Sequence, residues 1–132
     1  MNNFRKNFVR GVFSLLALST VACQPSYGSI EFEPLSTPPV AVTVRSFLIE
    51  MPEGVAVVVR ATPISDGREE YESGDKVDLY SRDRDVMTVH RRDHRREFVL
   101  VGVSAGSTCL EVEIDGEPQE CIDVEITGAS GT

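Results

Sequence analysis

The sequence predicts an all-β protein, a two-layer antiparallel sandwich of about seven short strands. Three observations support this prediction. Apolar and polar residues alternate with a period of two in the segments 107–116 and 120–127, which is typical of half-buried antiparallel strands. Clusters of Gly, Pro and Asp separate the apolar segments at short intervals, as turns do. No segment sustains the three- and four-residue apolar spacing of a helix.

The predicted strands begin at residue 40. The first two are the β-branched segment 40–44 and the segment 47–51, and the third, 55–62, is apolar enough for the centre of a sheet. A long polar loop, 63–75, follows. The later strands are 76–81, an irregular segment around Val86 and Val89, 98–106, 107–116 and 120–127. Asp115-Gly116 marks a hairpin between the last two.

The alternation also assigns side chains to the two faces of these strands. The predicted inward-facing residues are Val55, Val57, Val59, Ala61, Leu110, Val112, Ile114, Ile122, Val124 and Ile126. The outward-facing residues of the last hairpin are Cys109, Glu111, Glu113, Cys121, Asp123 and Glu125. Like charges on paired strands repel one another, so this outer face needs a compensating interaction.

Three segments resemble bacterial immunoglobulin-like domains of the group 2 type. The segment VDLYSRDRDVMTV (77–89) is similar to the family's third strand. FVLVGVSAGSTCLEV (98–112) and GVAVVVRA (54–61) are similar to two other family segments, and all three occur in the family's order within residues 40–127. Leu79 stands where the family often has tryptophan, and the charged insert 90–97 is longer than usual. The resemblance implies an immunoglobulin-like sandwich used as a surface, adhesion or spacer module without chemistry of its own.

The first 22 residues have the features of a secretory signal peptide. Arg5, Lys6 and Arg10 give a positive start, and residues 11–22 are uncharged and mostly apolar, with small residues at the exit. An apolar run of about 12 residues is too short for a permanent transmembrane helix. A cut before Cys23 would leave an N-terminal cysteine, which resembles the lipobox of bacterial lipoproteins, although Thr20 replaces the usual leucine. The alternative is an ordinary cleavage site with Cys23 incidental.

The domain is predicted to span residues 40–127, between two flexible segments. Residues 23–39 comprise the lipid-attachment cysteine and a tether with four prolines, and 128–132 form a tail of small residues. The alternation of Ile30 and Phe32 with glutamates leaves a short edge strand within the tether as an alternative.

The number of cysteines supports lipidation. There are three, and an odd cysteine in an exported protein requires an explanation. A disulfide between Cys109 and Cys121, with Cys23 acylated, leaves no free thiol, and the exported compartment permits the bond. If Leu110 lies opposite Ile122, the two paired cysteines are diagonal, which would call for a bulge or register shift. A redox pair is the alternative, but no C-x-x-C spacing is present.

The charge of the chain limits its partners. Removal of the signal segment takes away three positive charges and no negative ones, so the formal net charge of −8 becomes −11. This excess of acidic residues argues against a nucleic-acid partner, because phosphate binding requires Lys and Arg. It also disfavours electrostatic attachment to anionic lipids, so membrane association would depend on the N-terminal acyl chains.

A locally basic segment is the candidate binding loop. Its arginines are Arg82, Arg84, Arg91, Arg92, Arg95 and Arg96. Guanidinium groups bind carboxylates and phosphates through paired hydrogen bonds, so the segment 82–97 would suit an anionic or acidic partner. The alternative is a solvated loop that Asp93 and Glu97 partly neutralise.

Metal, cofactor and catalytic sites are not expected. His90 and His94 have helical spacing but lie between predicted strands, beside arginines that would repel a cation. The acidic loop 63–75 lacks the D-x-D-x-D-G pattern of a calcium site. No G-x-S-x-G, P-loop or H-E-x-x-H motif is present, so we expect no enzyme and no cofactor.

The sequence therefore predicts a lipoprotein of the cell envelope, on the outer membrane, and otherwise a periplasmic or secreted protein. Gln24 after the cysteine agrees with outer-membrane sorting by resemblance to enterobacterial lipoproteins. Two functions compete. The first is a non-catalytic binding or adhesion module for a protein or glycan partner at the cell surface. The second is a structural accessory or spacer. A contiguous arginine surface would favour the first, and an exposed apolar edge the second.

Overall fold

The computed structural model describes residues 26–69, 71 and 75–129. The predicted signal segment, Cys23 and residues 130–132 lie outside this part of the chain. The described residues form nine strands. They are β1 Tyr27–Pro34, β2 Thr43–Val44, β3 Leu48–Pro52, β4 Ala56–Ser65, β5 Val77–Ser81, β6 Met87–Arg91, β7 Glu97–Gly102, β8 Gly106–Ile114 and β9 Glu117–Thr127.

The strands form two packed sheets. Their order is β1-β4-β7-β6 in the first sheet and β2-β3-β9-β8-β5 in the second. This corresponds to the immunoglobulin arrangement, in which the first, second, fifth and fourth strands share one sheet and the third, sixth and seventh the other. The predicted immunoglobulin-like sandwich is confirmed. One pair, β3 and β9, is parallel rather than antiparallel. β3 follows β2 within the second sheet and is not joined to β9 by a hairpin, so no turn dictates the direction of this pair.

β1 corrects the predicted tether. Its residues pair with β4 from Tyr27 opposite Ser65 to Pro34 opposite Val59. Ile30 is fully buried, and Phe32 packs against the core. The period-two alternation therefore outweighs the proline content, because an edge strand tolerates a proline at its end. Residues 27–34 therefore belong to the sandwich, and the prediction that they form part of a flexible tether was wrong.

β2 is much shorter than the predicted strand 40–44. Only Thr43 and Val44 pair with β3. Val40 is exposed because residues 35–42 carry the chain from the first sheet to the second. The prolines at 38 and 39 lack the N–H groups that a strand ladder needs, which delays the start of pairing.

The core lies between the two sheets and confirms the predicted faces. Of the predicted inward set, Val55 is only partly buried. The buried apolar side chains are Ile30, Ile49, Met51, Val57, Val59, Ala61, Tyr71, Val77, Leu79, Val86, Met87, Phe98, Leu100, Leu110, Val112, Ile114, Ile122, Val124 and Ile126. Leu79, which stands where the resembled family often has tryptophan, is 5% exposed, so an aliphatic side chain fills this core position. In the described part of the chain, no buried side-chain nitrogen or oxygen lacks a hydrogen-bond partner.

The β8–β9 hairpin has the predicted turn. Asp115 and Gly116 both have positive φ, at 50° and 83°, as the central residues of a type I′ turn require. Glycine adopts this conformation without strain, and aspartate tolerates it. The turn pairs Ile114 with Glu117, and a one-residue register shift between Val112 and Glu113 then places Leu110 opposite Ile122.

The predicted disulfide between Cys109 and Cys121 is confirmed. In the ladder, Cys109 lies opposite Asp123 and Cys121 opposite Glu111, so the bond follows one diagonal of a four-residue square. The two Cα atoms are 5.4 Å apart, within the range that a disulfide spans. The register irregularity falls further along, between Val112 and Glu113. The expected register shift is therefore present, and it is needed because the register set by the turn alone would place Cys109 and Cys121 on opposite faces of the hairpin.

Gly102, in the family-like segment 98–112, occupies a position where the packing requires glycine. A Cβ at this position would lie 2.6 Å from the carbonyl oxygen of Pro52. The backbone of Gly54 donates a hydrogen bond to the Gly102 carbonyl at 2.8 Å. The end of β7 therefore contacts the β3–β4 turn closely, and any side chain here would separate them.

The described chain enters and leaves the sandwich at opposite ends. Tyr27 lies beside Ser65, where β4 ends, whereas Thr127 lies beside Pro52, just before β4 begins. The ten residues of β4 span about 33 Å. We call the end with Ser26 and the β6–β7 and β8–β9 turns the N-terminal end. The end with Ala129 and the β3–β4, β5–β6 and β7–β8 turns is the C-terminal end.

Candidate functional site

The structure divides the predicted arginine loop into two groups. Arg82 and Arg84 lie in the β5–β6 turn at the C-terminal end, whereas Arg92, Arg95 and Arg96 lie in the β6–β7 turn at the N-terminal end. β6 runs between them, and its five residues span about 16 Å. The two groups therefore lie in separate turns, because the strand predicted around Val86 and Val89 forms between them as β6.

Arg91, at the end of β6, connects the two sheets. Its guanidinium group forms an ion pair with Asp78 of β5 and donates a hydrogen bond to the Val77 carbonyl at 2.6 Å. A second nitrogen donates to the Arg95 carbonyl at 3.0 Å. The guanidinium carbon lies 5.2 Å from the centre of the Phe98 ring, within cation–π range. Arg91 is therefore a structural clamp and is not available to a partner.

Arg91→Lys is expected to lower the free energy of unfolding by about 1–2 kcal/mol. Lysine keeps the charge but lacks the planar fork that reaches Asp78 and two carbonyls together, and the partial exposure of the side chain keeps the loss modest. Urea unfolding measures the effect. The control is Arg95→Lys in the adjacent turn, which should change stability by less than about 0.5 kcal/mol. Equal effects of the two substitutions would contradict the clamp.

Glu97 is a buried carboxylate that two arginines neutralise. The residue is 9% exposed, and its side chain accepts hydrogen bonds from Arg60 at 3.2 Å and from Arg92 at 3.0 Å. Arg60 also pairs with Glu33 on β1 at 3.2 Å. A buried charge requires such partners, so much of the positive charge of the turn stabilises the fold.

A cleft of about 350 Å³ remains on the outer side of the β6–β7 turn. Its lining residues are Arg60, Asp93, His94, Arg95 and Arg96. The Arg96 side chain donates to the Tyr71 carbonyl at 3.3 Å. Arg95 forms no ion pair with any residue that the structure describes. Guanidinium groups on an open cleft are suited to an anion such as a phosphate.

The other arginine group is more dispersed. Arg82 pairs with Glu111 on β8 at 3.6 Å, and Arg84 has no ion-pair partner within the described ranges. Asp83 and Asp85 flank Arg84 and order the turn through an Asp85 N–H to Asp83 Oδ1 hydrogen bond of 2.9 Å. The C-terminal end therefore has no contiguous basic surface in the part of the chain described.

An acidic cleft of about 370 Å³ lies at the N-terminal end, below the β8–β9 turn. Its lining residues include Ser26, Tyr27, Tyr71, Asp75, Asp115, Glu117 and Gln119. The Tyr27 hydroxyl donates a hydrogen bond to Glu120. Burial, this hydrogen bond and the carboxylate charge raise the pKa of Tyr27 well above its ordinary value. Burial and the nearby Asp75 also raise the pKa of Tyr71.

Tyr27→Phe is expected to destabilise the protein by about 1 kcal/mol at pH 8, with a smaller difference at alkaline pH. The folded-state pKa of Tyr27 exceeds the unfolded value near 10, so above that pH the unfolded chain loses the phenolic proton first. The contribution of Tyr27 is therefore complete below pH 10 and is lost as the pH rises further. Urea unfolding of both proteins between pH 8 and 11 measures the difference, and Tyr71, common to both, cancels. A constant difference would refute the assignment.

No metal centre is evident in the described residues. No three His, Cys, Asp or Glu side chains in that part of the chain lie close enough together to hold an ion. His90 contacts Thr88 at 3.2 Å, and His94 lies in the separate β6–β7 turn. Of the acidic loop that we considered for calcium, Asp66 and Glu69 are described, whereas Glu70 and Glu72 lie outside the described residues.

Sequence reasoning missed an apolar rim at the C-terminal end. We give this name to three exposed aliphatic residues on separate segments at this end, Leu35, Val40 and Val103, which are 37%, 44% and 45% exposed. A cleft of about 330 Å³ opens beside Val40. Its lining residues are Pro34, Ser36, Thr37, Pro38, Val40, Val42, Val44 and Val57. For Leu35 and Val40, the sequence did contain an indication. The prolines within residues 34–42 prevent these two side chains from joining a strand.

Within the described ranges, no helix has the length and apolar character needed to span a bilayer. The fold and the surface define an immunoglobulin-like β-sandwich with charged and apolar patches at its two ends.

Comparison with known proteins supports this class by structure alone. No protein-family model matches the sequence, and no curated protein matches it. Among solved structures, domains 4 and 5 of the S-layer protein SbsC match 72% of the chain, with 16% identity and a TM-score of 0.50. The structure of SbsC domains 1–6 matches 82% of the chain, with 14% identity and a TM-score of 0.53. A third, of rSbsC(31-844), matches 76%, with 17% identity and a TM-score of 0.52.

The chain covers only part of each of these structures. It spans 54% of the two-domain structure and 14% of each of the two longer ones. At this level of sequence identity, the similarity establishes the fold and nothing more.

Proposed function

We propose that the chain is an exported, lipid-anchored immunoglobulin-like module of the cell envelope that binds a protein partner at its C-terminal end and catalyses no reaction. The observation that supports this proposal most strongly is the placement of the apolar rim. Leu35, Val40 and Val103 are exposed at the end of the sandwich opposite Tyr27, the first strand residue after Cys23. An anchor at one end and an apolar surface at the other suit a module that presents the far surface to a partner. Since an exposed apolar edge was expected to favour a structural accessory over an adhesion module, the partner we propose is a protein component of an envelope assembly.

The anchor part of the proposal comes from the lipobox resemblance. Only residues 24–26 separate Cys23 from Tyr27. With acyl chains on Cys23, the sandwich would be held close to the membrane, and Gln24 agrees with an outer-membrane location. The proposed tether is therefore much shorter than the one predicted from proline content.

The choice of a protein partner follows from the chemistry of the rim. Its three exposed side chains are aliphatic, whereas glycan sites generally need aromatic faces and polar groups. The prediction that arginines 82–97 form the binding loop receives less support, since Arg91 contacts Asp78 and Arg92 contacts Glu97. A glycan partner therefore becomes the alternative outcome of the test.

A structural spacer is the second candidate function. The opposite placement of Tyr27 and Thr127 is what an end-to-end module requires. The similar solved structures belong to a surface-layer protein with several numbered domains. A spacer would separate its two ends by about the 33 Å length of β4 and need no ligand of its own.

A crosslinking experiment in intact cells tests the partner surface. A photoreactive residue is placed at Ser36, beside the rim, in the wild type and in the double variant Leu35→Ser/Val40→Ser. The matched control, Phe47→Ser, removes a side chain that is 66% exposed but lies in the β2–β3 turn. We expect one protein adduct that the double variant loses and the control keeps. A periodate-sensitive adduct would indicate a glycan, and no adduct in any protein would favour the spacer.

Cys23→Ser tests the anchor. The variant is expected to lose membrane association and to appear in the soluble fraction after cell disruption, because its thiol can no longer be acylated. Mass spectrometry of the wild-type N-terminus should show a diacyl or triacyl cysteine. A wild-type protein that is already soluble and unacylated would refute the anchor, whatever the crosslinking shows.

A further inference from the structure

We infer that the β6–β7 turn binds the anionic phosphate groups of lipid headgroups and so fixes the orientation of the domain on its membrane. Arg95 would make these contacts, together with Arg92 through the half-exposed guanidinium group that also pairs with Glu97, and the cleft beside His94 would admit a headgroup phosphate. The inference rests on the lipid anchoring proposed above. It adds a second membrane contact, made by the folded domain itself.

The first support is the short chain between the anchor and the fold. Four Cα–Cα steps lead from Cys23 to Tyr27 and span at most about 14 Å. Tyr27 is paired with Ser65 and hydrogen-bonded to Glu120, so this residue belongs to the sandwich. The N-terminal end of the domain must therefore remain close to the bilayer surface.

The second support is the position of the β6–β7 turn at that same end. β7 is separated from β1 only by β4, so the two strands lie about 10 Å apart across the sheet. The Ala61 N–H donates to the Arg96 carbonyl at 2.8 Å, and the Tyr71 N–H donates to Pro63 at 3.1 Å. The first bond holds the base of the β6–β7 turn beside the middle of β4, from where the turn extends toward the end with Ser26. The second bond holds Tyr71 of the β4–β5 loop beside the last residues of β4.

The third support is the uneven charge of this end. The half formed by the first sheet carries Arg60, Arg92, Arg95 and Arg96 around the cleft, against Asp93, Glu33 and Glu97. The half formed by the second sheet carries the acidic cleft, with Asp75, Asp115, Glu117 and Glu120. The β4–β5 loop between them is acidic in sequence, since Arg68 and Lys76 only partly offset Asp66, Glu69, Glu70, Glu72 and Asp75. An anionic surface attracts the first half and repels the second, so it would tilt the domain toward the β6–β7 turn.

The lipid anchor allows the few arginines of the β6–β7 turn to bind headgroup phosphates, although each contact is weak. At physiological salt, charges are screened beyond about 8 Å, so only groups at the membrane surface contribute. A lipid anchor keeps the turn at a high effective concentration near headgroups, so a few arginine–phosphate contacts suffice. Without the anchor, the same contacts would not hold the protein on the membrane, because its net charge of −11 is repelled by an anionic surface.

Fluorescence quenching in vesicles tests the orientation. The chain contains no tryptophan, so a single substitution introduces a unique reporter. The acylated protein carries either His94→Trp in the β6–β7 turn or Arg84→Trp at the C-terminal end. It is reconstituted into vesicles of phosphatidylglycerol and phosphatidylcholine that contain a headgroup spin-labelled lipid. We expect at least threefold stronger quenching at position 94 than at position 84.

The arginines are tested in the His94→Trp protein. Arg92→Gln/Arg95→Gln should lower the quenching toward the value at position 84, as should pure phosphatidylcholine vesicles or 0.5 M salt. The matched control, Arg82→Gln, removes an exposed arginine at the far end and should leave the quenching unchanged. Equal quenching at positions 94 and 84, or no response to Arg92→Gln/Arg95→Gln, would overturn the inference. Protein that fails to sediment with any vesicle would instead refute the proposed anchor, and the inference with it.

Discussion

Phe98→Ala is expected to lower the free energy of unfolding by about 3–5 kcal/mol. Phe98 is the largest fully buried side chain among the described residues, with 1% of its surface exposed. Its truncation removes the hydrophobic transfer energy of a ring and leaves a cavity between sheets that can collapse only partly. It also removes the aromatic face against which the Arg91 guanidinium packs at 5.2 Å. Urea unfolding followed by circular dichroism measures the loss.

Val99→Ala is the matched control for this substitution. Val99 is next to Phe98 on β7 but points to the outer face and is only partly buried. Its truncation should cost much less than that of Phe98, because no closed cavity results. A Phe98→Ala protein as stable as Val99→Ala would show that the ring does not fill the space between the sheets.

Phe98→Leu extends the test to shape. Leucine keeps most of the apolar volume but loses the flat ring below Arg91, so its cost should lie between those of Val99→Ala and Phe98→Ala. Arg91→Lys is then introduced into the wild type and into the Phe98→Leu protein. If it lowers the free energy of unfolding only in the wild type, the ring and the guanidinium group stabilise the fold together.

The strands that the sequence predicted best are those with one solvated face. β8 and β9 alternate almost without interruption, so both their existence and their faces could be predicted, and Asp115-Gly116 specified the turn. The disulfide could be predicted because the alternation within each strand placed both Cys109 and Cys121 on the outer face, and the register shift between Val112 and Glu113 reconciles that alternation with the turn. In each case the information is local, since a period of two and a two-residue turn do not depend on the rest of the chain.

Features that depend on distant partners were harder to predict. β1 was obscured by prolines, because whether an apolar residue such as Ile30 is buried depends on whether β4 lies beside it. β3 pairs in parallel with β9, more than 70 residues away in the sequence, and no local pattern encodes that. Residues 40–44 have strong β propensity, yet only two of them pair, because the chain crosses between the sheets at this point.

The candidate site shows the same limit. Composition indicated that arginines cluster between residues 82 and 96, but composition does not reveal which carboxylates face them. The structure places Asp78 against Arg91 and buries Glu97 between Arg60 and Arg92. Arg60 lies 31 residues before Arg91 and was not among the predicted residues. A cluster of charged residues in the sequence therefore predicts a charged binding surface only when the ion pairs within the cluster are also known.

Replacement of Cys109 and Cys121 by serine together is expected to lower the free energy of unfolding by about 3 kcal/mol. The bond closes a loop between residues 12 positions apart, and its loss lets the unfolded chain regain the corresponding entropy. Urea unfolding under oxidising conditions compares the wild type with the double variant. A reducing agent should bring the wild type to the stability of the variant, which distinguishes loss of the bond from any effect of the serines. Unchanged stability in both tests would contradict this role.

The double variant should also depend more strongly on salt than the wild type. The disulfide occupies one diagonal of a square whose other diagonal joins Glu111 and Asp123. With the bond intact, these carboxylates remain neighbours in the unfolded chain, so unfolding relieves little of their repulsion. Without it, unfolding separates them, and repulsion counts fully against the folded state. Raising the salt concentration should therefore stabilise the Cys109→Ser/Cys121→Ser protein more than the wild type, and Asp123→Asn in the double variant should remove that difference. Equal salt responses in all three proteins would show that chain entropy alone accounts for the effect of the bond.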